Sequence, residues 1–214
     1  MDYQAIAKRI VQVIVSPDTV VGFAHGVVSV PVDLGYLAYS YLDTGNRYNN
    51  QTETIRLANA IKKGILENPN LSKTIKTIFD QFNSYVPTDT QNSIYSKTIA
   101  SIPGRMITNS IIAAKITTAV MQTTEYSYLI QMRSALLGTV LLMGGMAQRS
   151  IYKSRALSEK NRAVYISLRT QGDLDFMYFL IQPFVDPFID AITIRQRHGQ
   201  EAFNRLLSMV EERL

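Results

Sequence analysis

The sequence predicts an all-α fold, a helical bundle around a central hydrophobic helical hairpin, with residues 1–214 as one helical domain. Three observations carry that expectation. Apolar residues recur at helical spacing along most of the chain, and no run of strand length alternates apolar with polar. Charged residues make up only 18%, below the roughly 25% usual for soluble domains, so much surface must be buried or face lipid. Two greasy stretches lie back to back at about 105–149. Met106 to Thr124 has one charge (Lys115) in nineteen residues, and Ser134 to Gln148 has none in fifteen. Only Glu125 to Arg133 separates them.

The elements follow in chain order. Tyr3 to Val15 places Ile6, Ile10, Val13 and Ile14 near one face, with Lys8, Arg9 and Gln12 elsewhere, which predicts an amphipathic helix. Ser16-Pro17-Asp18 is a restart, Ser16 as N-cap and Pro17 in a first turn where its missing N–H costs nothing. Thr19 to Leu42 is a third apolar stretch, which Pro31 is expected to kink or break, and Asp43 to Asn46 is a turn. Thr52 to Leu66 and Leu71 to Tyr85 are helices, with stops expected at Asn68-Pro69 and near Pro87. A helix starts at about Gln91, and Pro103-Gly104 breaks the chain before the hairpin. Ile151 to Arg169 is the next helix, and Gly172-Asp173 opens an aromatic segment, Leu174 to Ile181. In the tandem Pro183-Phe-Val-Asp and Pro187-Phe-Ile-Asp, Asp186 and Pro187 fit the N-cap and first position of a helix reaching Arg197. That helix is expected to end at His198-Gly199, before an amphipathic tail from Glu201 to Leu214.

Two homes are open to the hairpin. Each arm is near the lower limit for spanning a bilayer, for which about 20 apolar residues are needed. Ser110, Ala114 and Thr118 recur every four residues in the first arm. Ser134 and Gly138 repeat that spacing in the second, followed by Gly144-Gly145. Small residues four apart let helices approach closely, in lipid or in a soluble core. Lys115 is costly in either setting unless it snorkels or finds a partner. With their neighbours these residues form the candidate insertion and pore set: Ser110, Ala114, Lys115, Thr118, Ser134, Gly138, Gly144 and Gly145.

Charge is unevenly placed. The chain carries a net +5, and residues 148–169 hold six basic groups against the single acid Glu159. Positive residues beside an apolar segment are drawn to anionic headgroups, which makes Arg149, Lys153, Arg155, Lys160 and Arg162 candidates for lipid docking. The alternative is a solvated helix face. Nucleic acid is not an expected partner, because only Tyr152 and Tyr165 accompany these charges and no recognition motif is present.

Catalytic chemistry is not expected. Without cysteine there is neither thiolate nor Cys-based metal site. His25 and His198 belong to no metal-ligand spacing. His198 fits a helix C-terminus, and His25 a core histidine or a pH-sensitive element. Asp186 and Asp190 are explained by a cap and helix dipole rather than acid–base work, and Glu125 and Arg133 by a solvated turn. Cofactors and metals are therefore not expected. The N-terminal stretch lacks the pattern of a cleaved signal peptide.

A soluble-looking bundle with a central apolar hairpin resembles the colicin-type channel domains and the small pore-forming antibacterial effectors. The resemblance is architectural. It covers Arg105–Arg149 and its helical surroundings, and no motif carries family residues across. It implies a toxin made in a bacterial cytoplasm, secreted without a cleaved signal and acting at a target-cell membrane. There it would form a pore that dissipates ion gradients. The implied partners are anionic lipid, further copies of the chain, and an immunity or delivery-chaperone protein. Lys115 and the shortness of the second arm depart from the strongest channel hairpins and leave interfacial insertion open. The alternative is a soluble interaction or immunity-type protein whose hairpin stays in the core.

Overall fold

The computed structural model describes residues 2–18, 20, 29–99, 109–123, 126–127 and 140–214. These form α1 (Tyr3–Val15), α2 (Ser29–Leu42), α3 (Arg47–Lys62), α4 (Asn68–Asn83), α5 (Thr88–Ile99), α6 (Asn109–Met121), α7 (Val140–Lys160), α8 (Arg162–Thr170) and α9 (Tyr178–Glu211). Short 3-10 turns, Thr44–Asn46 and Leu174–Met177, precede α3 and α9. The described residues contain no strand, and the fold is all-α.

The first part of α9 is the axis of the core. Phe184, Val185, Phe188, Ile189, Ala191 and Ile192 share one broad face, each at most 1% exposed, while Gln182, Asp186 and Asp190 lie on the opposite, half-buried side. An apolar face this broad must be covered by several neighbours. Helix α1 covers one side with Ile6, Ala7, Ile10, Val13 and Ile14, and α4, α5 and α7 pack against others. Phe188 lies 4.3 Å from Phe79 and 5.2 Å from Phe82, ring centre to ring centre, and Phe82 meets Phe203 edge-on at 5.7 Å.

Several expected boundaries are corrected. Asp186 caps nothing, because α9 runs through both Pro183 and Pro187. Each proline removes a helix hydrogen bond, at a cost of roughly 3 kcal/mol in a helix interior. Each fully buried Phe or Ile contributes about 1.5–3 kcal/mol, so the continuous buried face outweighs the two breaks. The expected break at Gly199 is present: its φ of 83° is left-handed and kinks α9 there, and His198 before it is exposed. Asn68-Pro69 starts α4 rather than stopping α3, with Pro69 in the first turn. The segment before α2, residues 21–28, where a kink or break at Pro31 would show, lies outside the described residues.

The apolar second arm and the basic block also differ from expectation. From Val140 they form one helix, α7, up to Lys160. The break comes at buried Asn161, whose Oδ1 accepts from the Val164 N–H at 3.1 Å. Its Nδ2 donates to Thr193 Oγ1 at 2.9 Å and tethers that break to α9.

Helices α2 and α7 cross closely where Gly145 meets Asp33. A Cβ on Gly145 would lie 2.5 Å from the Asp33 carbonyl oxygen, which is backbone and cannot swing aside. Gly144 faces the softer Leu37 side chain at 3.3 Å. Gly145→Ala should therefore destabilise the protein by about 1–3 kcal/mol in urea unfolding, as the helices are forced apart. Gly35→Ala, in the same α2 but with open space around it, should be neutral or stabilising by up to about 1 kcal/mol.

Candidate functional site

The two apolar arms have different principal partners. Helix α6, the described part of the first arm, lies along α4, whereas α7 lies along α2. Glu125 and Arg133 of the segment that would join the arms, and Ser134 and Gly138 of the second arm, lie outside the described residues, as does His25.

Helix α6 has two distinct faces. Ile112, Ala113, Ile116, Thr117, Ala119 and Val120 are buried. Ser110, Ala114, Lys115 and Thr118 are all exposed and form an outward stripe of small and polar residues. Lys115 is therefore solvated and needs no buried partner. The hydroxyls of Thr117 and Thr118 donate to the carbonyls of Ala113 and Ala114 at 2.6 and 3.0 Å. Each hydroxyl keeps its lone pairs as acceptors. On the second arm, Gly144 and Gly145 are the close-approach points against α2.

The basic block is largely engaged inside the protein. Arg149 Nη1 lies 3.4 Å from the buried Asp33 carboxylate, and its guanidinium is 5.6 Å from the Phe179 ring centre. Lys160 Nζ bridges Asp186 at 3.1 Å and Asp190 at 2.9 Å. Arg155 donates to Asn50 at 2.7 Å, and exposed Arg162 donates to Ser158 at 2.7 Å. Arg149 and Lys160 thus neutralise intramolecular acids. Lys153 forms no ion pair among the described residues.

Asp186 also accepts from the Tyr178 hydroxyl, and from Gln182 Nε2 at 3.1 Å. Burial pushes the Tyr178 phenol far above its usual value, and the charge and hydrogen bond of Asp186 push it further. A raised folded pKa means that the neutral phenol's contribution to stability is fully present below the unfolded value of about 10. It is lost as pH rises above that, because only the unfolded chain can then ionise. An ultraviolet titration should show Tyr178 un-ionised until alkaline unfolding, and Tyr178→Phe should flatten the loss of stability above pH 10.

A second charged cluster has no forerunner in the sequence reading. Arg56, on α3, hydrogen-bonds Glu53 at 2.5 Å, Asp173 at 2.7 Å and Asp175 at 2.7 and 2.9 Å. Its guanidinium stacks 3.7 Å from the centre of the Phe176 ring. Asp175 is fully buried and also accepts from Ser154 on α7 at 2.5 Å. Asp173 reaches Arg56 from a left-handed conformation, φ 62°, which Asp tolerates better than most residues. Burial alone lowers the Arg56 pKa, but the hydrogen bonds to Asp175 and Glu53 and the charge of Asp175 outweigh it and raise it. One signal for this site was visible: Asp175 is a lone acid in an aromatic run, and a buried carboxylate demands a cation.

Among the described residues, no three His, Asp or Glu side chains are placed to hold a metal ion. One segment among the described residues, Leu174–Glu211, is long and apolar enough to cross a membrane, and 78% of its apolar window is buried, as in a core helix.

No family model matches this chain. Comparisons with curated proteins and with solved structures give no match either.

The Arg56 cluster is a clasp. Arg56, Glu53, Asp173 and Asp175 close on each other, Arg169 of α8 adds a second cation 3.4 Å from Glu53, and Ser154 ties the cluster to α7. Asp175→Ala should cost about 3–5 kcal/mol in chemical denaturation, the usual loss when a buried ion pair keeps only one partner. Breaking the exposed Lys76–Asp80 pair with Lys76→Ala should change stability by no more than about 0.5 kcal/mol.

Proposed function

We propose that this chain is a membrane-targeting, pore-forming effector of the antibacterial kind that dissipates ion gradients without covalent catalysis. The observation that carries the reading is the separate housing of the two apolar arms. Each is covered by a different helix, α6 by α4 and α7 by α2, so that release of the covers would free both for lipid. Within lipid, the outward stripe Ser110, Ala114, Lys115 and Thr118 would lie against a second copy, its small residues letting the two helices approach closely. In the water-soluble form the same stripe is solvated, and only the opposite face is committed to packing.

A soluble interaction or immunity-type protein is the second reading. The pairing of Arg149 with Asp33 and of Lys160 with Asp186 and Asp190 favours it, because these cations serve the fold itself.

Dye release from anionic vesicles separates the two readings. The wild-type protein should empty vesicles. Ala114→Glu places a charge on an exposed helix surface and should leave folded stability within about 0.5 kcal/mol. The same carboxylate in a bilayer costs about 2.5–3.5 kcal/mol at mid-depth, so release should fall by roughly tenfold or more. Intact vesicles with the wild-type protein would leave the soluble reading in place. Undiminished leakage by folded Ala114→Glu would remove α6 from the pore.

A further inference from the structure

The outer face of α2 and the start of α3 carry apolar and aromatic side chains that the described residues leave uncovered. Tyr39 is 56% exposed, Tyr41 74%, Leu42 78%, and Tyr48, second residue of α3, 80%. Val32, Gly35 and Leu42 fall at helical spacing on one stripe, while Asp33 and Leu37 face α7 and half-exposed Tyr39 meets Tyr152 of α7 edge-on at 5.3 Å. Helix α2 is thus apolar on both sides although only one is packed, an arrangement that calls for a second apolar environment.

Beside this patch lies a cavity of about 280 Å³, near the low end for small-ligand pockets, lined by Ser40, Tyr41, Arg47, Asn50, Gln51 and Thr54 among others. Arg47 is exposed and forms no ion pair among the described residues. Arg155 reaches Asn50 at 2.7 Å and brings a second guanidinium to the cavity edge. The nearby Asp43 carboxylate is occupied by the Tyr152 hydroxyl at 2.7 Å and Asn46 Nδ2 at 2.9 Å. Gln148 also lines the cavity.

We propose that this corner is an interfacial membrane anchor: Tyr39, Tyr41, Leu42 and Tyr48 enter the headgroup boundary of a bilayer, and the cavity at Arg47 takes the phosphodiester of an anionic phospholipid. Tyrosines sit at headgroup depth because the ring is apolar and the hydroxyl is wet. Arginine matches a phosphate in charge and fork geometry, and the net +5 of the chain draws it to an anionic surface. The inference rests on the membrane-acting reading and names its first contact. Because α2 is also the cover of α7, the bilayer would lie one helix away from the second arm.

The test is co-sedimentation of the full chain with phosphatidylcholine vesicles, with and without phosphatidylglycerol, run beside the dye-release assay. Wild-type protein should bind the glycerol-headgroup vesicles and fall off as salt is raised. The triple variant Tyr41→Ser, Leu42→Ser, Tyr48→Ser should bind at least about tenfold less. Arg47→Glu should lose the preference for anionic vesicles while keeping weak binding to neutral ones. All four side chains are exposed, so unchanged thermal unfolding is expected and checks that the variants fold. Glycerol phosphate alone should bind the free protein far more weakly than vesicles do. Equal binding would assign the cavity to a soluble phosphate ester and overturn the anchor.

The anchor also falls if wild-type protein binds neither vesicle, if the triple variant binds like wild type, or if the patch instead forms a dimer that the serines dissolve. Failure of the pore reading looks different: binding that depends on Tyr41, Leu42, Tyr48 and Arg47, with no dye released.

Discussion

A guanidinium cannot shed its charge inside a protein, and the placement of Arg56 constrains much of what surrounds it. Its head is largely withdrawn from water, so carboxylates must come to it. Asp175 supplies the deepest one, Asp173 and Glu53 flank it, and Phe176 closes the remaining face. These contacts fix the turn ahead of α9, and that turn sets the direction in which the central helix enters the core. Ser154 on α7 binds the same Asp175 oxygen that binds Arg56. Ser150, one turn earlier, donates to the Phe176 carbonyl at 2.8 Å. The basic end of α7 is thereby held against the start of α9, and its apolar beginning is aimed at α2.

That division along α7 sharpens the contrast between its ends. Its C-terminal part is tied by directional, charge-assisted contacts that resist separation. Its N-terminal part meets α2 through close glycine packing and through Arg149 and Asp33 at 3.4 Å, a long ion pair. Non-directional packing is what lipid can replace, whereas a fixed ionic network is not. In the pore proposal, movement would therefore begin at α2 and the head of α7 while the Arg56 clasp and α9 remain a fixed base. Helix α9, though apolar enough to span a membrane, has the most burial to lose by leaving.

The elements that were legible in the sequence are those whose signal is local. Helix α1 matches its expected bounds because its apolar residues form one face and its ends are plain. Gly199 was legible as a break because only a residue free to adopt a positive φ suits that geometry. The prolines misled, since a proline marks both the first turn of one helix and the end of another, and which applies depends on packing. Asn68-Pro69 opens α4, and Pro183 and Pro187 interrupt nothing. Of the candidate functional residues, Ser110, Ala114, Lys115 and Thr118 share one exposed stripe, as their spacing required, but periodicity alone could not say whether that stripe faced in or out.

The amino-acid order by itself determined the helical class, the greasy middle of the chain and the crowding of positive charge after it. These follow from residue type and spacing, which act over one or two turns. Tertiary structure decided which arm lies under which cover, which cations face acids rather than solvent, and that Arg56 finds Asp173 and Asp175 more than a hundred positions away. The reason is physical: a charge or an apolar face specifies that it needs a partner, but not which one. That choice is made by competition among all the surfaces that the folded chain brings within reach.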